Sequence, residues 1–280
     1  MTVQPSVDIV VLNWNGKRDT VECLSSLEAS TYPNTRVIVV DNGSTDDSVA
    51  AVRSKFPGAA IVETGSNLRF AGGNNAGVRR ALADGTEYIM LLNNDTVVDP
   101  ECVTAMIRRL QSDPSIGVVG PKILYHGRPD TIWYAGGAIS FWTGTLRHVG
   151  IRAKDDGSYD TPGQTEYATG CCLCAPRAVW ERVGLLDESF AMYAEDADWC
   201  TRARRAGYGV GYEPSARVFH KISVSAGGHT SWFKMRNKFL GNLRFFFRHA
   251  AWYQWFVFPW LNILVNGMAA VRYLRSRRAT

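Results

Sequence analysis

Four short apolar runs, three of them running straight into clusters of Asn and Asp, constrain the fold of this chain more than any other feature. They occupy residues 7–12, 37–40, 61–62 and 88–92, the third being the weakest. Helical patterns lie between them, over residues 18–27, 44–55 and 74–83. Strand-length apolar runs alternating with helices form a parallel sheet covered on both faces. Ligands of such sheets bind beyond the carboxyl ends of the strands. The residues that leave those ends are Asn13-Trp14-Asn15-Gly16, Asp41-Asn42-Gly43-Ser44 and Asn93-Asn94-Asp95, and they are expected to line one crevice. From about residue 120 to 170 the chain is turn-rich and reads as mixed sheet and loop, with a β-like piece at 131–135. Helices are predicted over 176–183, with Pro in the first turn, and over 194–206, stopped by Gly207. The expected architecture is an α/β domain with a mostly parallel central sheet over residues 1–228, followed by a helical extension over 229–280.

A chain that is 46% hydrophobic and 20% charged is neither disordered nor of low complexity. At 280 residues it can bury a sizeable core without a disulfide or zinc staple. The net charge of +5 hides an asymmetry. From Pro214 onward there is no Asp or Glu but eleven Lys and Arg, which leaves an acidic body and a basic, aromatic tail. The first residues carry no basic stretch followed by an apolar core, so no secretory leader is expected there. The six cysteines are then expected to be reduced and packed as small apolar groups. Cys171-Cys172-Leu173-Cys174 lacks the paired ligand sets of a zinc site.

Each polar cluster admits a bland and a chemical reading. Ser44 as an N-cap, with Asp47 three residues on, would start a helix. That leaves Asp41, a strand-end carboxylate able to accept a hydrogen bond from a nucleobase N–H, with Trp14 offering a flat face beside it. Residues 67–77, with Asn67, Gly72-Gly73, Asn75 and Gly77, are either a simple turn or a helix start whose N–H groups meet phosphate. They match neither a dinucleotide fingerprint nor a P-loop. Asn93-Asn94-Asp95 is an Asx-turn or holds a hard divalent ion that also binds diphosphate. Glu195, Asp196 and Asp198 either complement a helix dipole or include a general base. Glu195 and Asp198 share a helical face and Asp196 points elsewhere. His220 acquires meaning only beside a metal site.

Taken in this order, from Asp8 to His220, the motifs resemble an inverting glycosyltransferase of family 2 with the GT-A fold. Asn-Asn-Asp in place of Asp-x-Asp is similar to a rhamnosyltransferase-like subgroup of cell-envelope enzymes. The resemblance implies a nucleotide-sugar donor, with dTDP-rhamnose first and UDP-sugars next. Asp41 and Trp14 would hold the base, and Asn13, Asn67, Asn75 and Asn94 would complete the donor pocket. Asn93, Asp95 and His220 would hold Mg²⁺ or Mn²⁺ on the diphosphate. Asp196 would be the catalytic base, with Glu195, Asp198 and Trp199 shaping the acceptor pocket. The acceptor would be a hydroxyl of a lipid-linked or polysaccharide molecule.

Residues 250–271 contain no charged side chain and are long enough to span a bilayer. Gln254, Pro259, Asn262 and Asn266, together with interface-preferring Trp and Tyr, favour an amphipathic segment lying on a membrane surface instead. The corresponding expectation is a cytoplasmic protein, peripheral on the inner face of the plasma membrane. Packing of the tail on the domain or on a second subunit, as in a homo-oligomer, stays open. Nucleic acid is a poor partner for aromatic density this apolar. Two other functions compete: a catalytically silent nucleotide-sugar or carbohydrate-binding module, and a nucleotidyltransferase. The latter calls for a longer glycine-rich, basic loop than the one after residue 12.

Overall fold

A computed structural model describes residues 4–190, 192–221, 232–257 and 260. In chain order the elements are β1 (Val7–Asn13), α1 (Lys17–Glu28), β2 (Thr35–Asp41), α2 (Ser48–Lys55), β3 (Ala60–Glu63), α3 (Arg69–Ala83), β4 (Tyr88–Asn93), β5 (Thr96–Val98), α4 (Cys102–Ser112), β6 (Ile116–Tyr125), β7 (Arg128–Tyr134), β8 (Gly137–Ser140), β9 (Thr145–His148), β10 (Gly163–Gln164), β11 (Cys172–Pro176), α5 (Arg177–Val183), α6 (Glu195–Arg205), β12 (Gly209–His220) and α7 (Trp232–His249). A short 3₁₀ helix follows over Trp252–Phe256.

The main sheet runs β10-β12-β6-β11-β4-β1-β2-β3, with β5 and β7 pairing off it. β1, β2, β3 and β4 are mutually parallel, as are β6 and β12, while β11 lies antiparallel between β4 and β6. The mostly parallel sheet expected from the strand–helix alternation is therefore present. β1 alternates its side chains with period two. Val7, Ile9 and Val11 enter one core with Cys23, Leu24 and Met90, and Val10 enters the other with Ile38, Val40, Ile89 and Leu91. Helices on both faces close these two cores, and all six cysteines are free and buried. In one core Trp180 stacks on Trp199 with ring centroids 4.1 Å apart, a contact that contributes about 1 kcal/mol beyond its buried area.

Register fixes the crevice. Asn13 sits opposite Asp41, and Leu12 opposite Asn93, so the loops after β1, β2 and β4 leave the sheet at one edge. β2 and β4 flank β1, which places a topological switch point there.

Two helix starts differ from expectation. α2 begins at Ser48 rather than Ser44. Ser44 is used elsewhere: its Oγ accepts from Asn13 Nδ2 and the Asn15 N–H. α3 begins at Arg69, so Gly72 and Gly73, as well as Gly77, lie inside the helix, the first two of them expected ahead of it. A Cβ at Gly73 would strike Leu12, and one at Gly77 would strike Val10 and Val40. These glycines bring α3 down onto the sheet and form no phosphate cradle. The sequence reading also passed over α4, β6 and β12.

Candidate active site

The loop after β1 is held by side-chain hydrogen bonds. Asn13 Nδ2 donates to Asp41 Oδ1 (3.0 Å) and Ser44 Oγ (3.1 Å), while Asn13 Oδ1 accepts from Thr20 Oγ1 (2.8 Å). Asp41 Oδ2 takes the Ser44 N–H at 3.1 Å. Asp41 and Asn13 are both buried, and Trp14 beside them is 51% exposed. A fixed carboxylate and an open indole face thus stand at neighbouring strand ends. Asn67 Oδ1 accepts from the Arg69 N–H and Asn42 Nδ2, which ties the start of α3 to the loop after β2.

Asn94 and Asn75 make contacts within the fold. Asn94 turns inward, donating to Thr20 Oγ1 (2.9 Å), and its amide fills the space a Cβ at Gly16 would need. Asn75 is buried; its Nδ2 donates to the Leu186 carbonyl and Glu188, and its Oδ1 accepts the Leu186 N–H. Both side chains thus help to hold loops at the strand ends.

Asp95 follows β4, and His220 ends β12 opposite Thr96 of β5. That pairing sets His220 Nε2 3.2 Å from Asp95 Oδ1. His220 Nδ1 is buried without a hydrogen-bond partner, and the Cys171 sulfur lies beside the ring. Burial opposes charge on this imidazole, but the Cys171 sulfur and the Asp95 carboxylate outweigh it and raise its pKa to about 10. Asn93 stands at the end of β4, its backbone N–H on the Cys171 carbonyl at 2.9 Å. Among the described residues no group of three His, Cys, Asp or Glu side chains converges as a metal site. The Asp95–His220 pair offers one carboxylate oxygen and one imidazole nitrogen, donors of the type a divalent ion would take.

The acidic helix α6 reaches the same edge. Asp196 Oδ2 accepts the Gly170 N–H at 2.8 Å and its Oδ1 accepts the Ala197 N–H at 2.8 Å. Gly170 is the residue before Cys171, so Asp196, Cys171, His220 and Asp95 follow one another in space. The ring of Phe70, at the start of α3, closes against Gly170. Burial raises the pKa of Asp196, with the two N–H bonds opposing. Glu195 is pushed up to about 8, by burial first and then by the charge of Asp196. One of its carboxyl oxygens is buried without a partner. Two buried carboxyls side by side disfavour full ionisation of the pair.

Asp198 and Trp199, expected to shape the acceptor pocket, are buried inside the fold. Asp198 is fully buried and accepts from His249 Nε2 (2.8 Å), Arg202 Nε (2.9 Å) and Arg248 Nη1 (3.1 Å). Trp199 is stacked in the core and donates its indole N–H to the Gly184 carbonyl at 2.7 Å. Both are framework. The sequence reading missed Cys171 as a neighbour of His220, Thr20 as an anchor of the β1 loop, and His249 as the partner of Asp198. Thr20 follows Asn13 by seven residues and lies one turn into α1, a local cue; no cue links residues 198 and 249.

The fold is that of a GT-A glycosyltransferase. With GalNAc-T7, solved with UDP, GalNAc and Mn²⁺, the TM-score is 0.70 at 14% identity, over 88% of this chain and 48% of that one. With the Pyrobaculum calidifontis mannosyltransferase solved with GDP-Man and Mn²⁺ it is 0.60 at 17% identity, over 99% and 81%. Residues 8–179, more than half of the chain, match the Glycosyl transferase family 2 model, and the chain belongs to that family. A low-salt glycan biosynthesis hexosyltransferase of Haloferax volcanii is 25% identical over 99% of this chain and 87% of its own length. An N-acetylglucosaminyl-diphospho-decaprenol L-rhamnosyltransferase of Mycobacterium tuberculosis is 28% identical over 73% and 72%.

Proposed function

We propose that this glycosyltransferase moves a sugar, rhamnose from dTDP-rhamnose being the first candidate, onto a hydroxyl of a lipid-linked or polysaccharide cell-envelope acceptor, with inversion. The observation that carries this reading is the convergence of Asp196 and the Asp95–His220 pair on Gly170-Cys171. Asp41 and Trp14 orient the base of the donor. Asn93, Asp95 and His220 would hold Mg²⁺ or Mn²⁺, which when bound offsets the charge of the departing diphosphate. Asp196 takes the proton of the acceptor hydroxyl as that oxygen attacks the anomeric carbon from the side opposite the diphosphate. The raised pKa of Asp196 makes it a stronger proton acceptor than an ordinary carboxylate. Phe70 and Gly170 pack closely beside Asp196 and limit the access of water.

The acceptor chemistry agrees with the outer surface of the C-terminal extension. Phe239, Leu243 and Phe247 form an exposed row at four-residue spacing on α7, continued by Trp252 and Phe256 in the next helix and by Trp260. Basic side chains flank the row and no acid occurs beyond Glu213. Among the described residues no helix is long and apolar enough to cross a membrane. Such a face suits the surface of an anionic bilayer, where a polyprenyl-linked acceptor resides. Residues 261–271 of the expected interfacial segment lie outside the described residues.

Incubation with radiolabelled dTDP-rhamnose, UDP-glucose, UDP-N-acetylglucosamine and GDP-mannose, with MnCl₂ and a short polyprenyl-diphosphate N-acetylglucosamine, tests the chemistry. Transfer with inverted anomeric configuration supports it. Donor binding without any product would make the protein a binding module. Cosedimentation with phosphatidylglycerol vesicles, lost on F239E/F247E/W252E, tests the membrane face.

A further inference from the structure

The turn that delivers Asp196 is strained, and α7 sits directly on it. Tyr193 and Ala194, consecutive and neither of them glycine, both have φ of 74°. Each such residue costs about 1–3 kcal/mol and persists only where its surroundings enforce it. Glu195 and Asp196 follow at once as the first residues of α6. The surroundings in question are supplied by the inward face of α7, where Asn237, Gly241, Phe245 and His249 recur every four residues and are buried. A Cβ on Gly241 would lie 2.5 Å from the Tyr193 carbonyl oxygen and 3.0 Å from that of Met192. Two turns further along α7, His249 and Arg248 hold Asp198, and Arg248 also reaches Asp187. Arg202 shares Asp198 and donates to the Val183 and Leu185 carbonyls, which fixes the other flank of α6.

We infer that α7 is a positioning element for the acid at 196. Gly241 admits the left-handed turn, and His249 locks α6 through Asp198 so that Asp196 stays on the Gly170 N–H. None of these groups touches substrate; they set where the carboxylate points. An error of about 1 Å in such a group is enough to cost on the order of 100-fold in rate. The inference rests on the proposed role of Asp196, and the tests separate the two.

G241A and H249A are compared with H249Q, whose amide can still donate to Asp198, and with G58A, where an added Cβ meets nothing within 4 Å. Two readouts are used on the full chain: amide exchange of residues 193–198 without ligand, and steady-state transfer from the donor the wild type uses. G241A and H249A are expected to exchange faster over 193–198 and to lose about 10–100-fold in kcat, with donor KM within twofold. H249Q should recover most of the loss and G58A should match the wild type. Should G241A fail to fold, the H249A and H249Q pair decides alone. Unchanged exchange in H249A, or H249Q no better than H249A, overturns the inference. Full activity of D196N would instead overturn the base assignment and leave the exchange result standing.

Discussion

The two sides of the crevice are built by different physics. On the side proposed for the donor, Asn13, Thr20, Asp41, Ser44 and Asn94 are joined by hydrogen bonds between adjacent strand ends and the helix that follows, with Asp41 the one carboxylate among them. On the side proposed for catalysis, Asp196, Glu195, Asp95 and His220 are ionisable and crowded, with one Glu195 oxygen and His220 Nδ1 unpaired, and they arrive from residues far apart in sequence. A satisfied network gives a rigid, inexpensive receptor for a ligand that must bind in one pose. A crowded acid pair stores the electrostatic tension that proton transfer draws on. Under the proposed assignment binding and proton transfer fall to different sets of side chains, so that damage to one should leave the other measurable.

The sharpest way to break that separation is D196N. It should lower kcat by about 10²–10⁴-fold while donor affinity changes little, as steady-state kinetics and nucleotide titration will show. Next, D95A should lower metal-stimulated transfer by about 100-fold, read as a loss of response to added MnCl₂. If His220 holds the metal as proposed, its raised pKa, about 10, sets Mn²⁺ in competition with a proton, so Mn²⁺ affinity should rise with pH between 7 and 9, measured calorimetrically in two buffers. D41A should act on the other bank, raising donor KM by about 10–100-fold with kcat nearly unchanged, in line with a lost charged hydrogen bond. The smallest effect concerns stability. Glu195 has its folded pKa raised to about 8 from 4.5, so the native state binds more protons than the unfolded chain within that window. Stability is therefore greatest near the low end and is lost as pH rises toward 8. E195Q should flatten the fall of Tm between pH 5 and 8; an identical slope in wild type and variant would show that Glu195 titrates normally.

Legibility in the sequence followed the same divide. The first four strands, α1, α5, α6 and the three polar strand ends could be read because apolar period and polar termination are local signals. The position of Asp41 beside Asn13 followed from parallel pairing alone. Ser44 misled because a serine after a strand is an equally good cap and cross-loop acceptor, and only tertiary contact decides between them. Gly73 reads as loop because glycine lowers helix propensity, whereas here closeness to β1 outweighs that cost. Asp198 and Trp199 shared a motif with Asp196, yet helical geometry turned them into the core. The contact of His249 with Asp198 spans 51 residues and has no periodic signature.

α7 carries two stripes that must stay in phase: 237, 241, 245 and 249 inward, and 239, 243 and 247 outward. Each residue advances a helix by about 100°. Inserting or deleting one amino acid in the middle of α7 would swing everything downstream by that angle, pulling His249 off Asp198 and burying a side chain meant for the exterior. Point changes along the outer row should accordingly be absorbed with ease, whereas length changes inside this segment should not, and the spacing between Gly241 and His249 becomes a ruler against which related chains can be aligned.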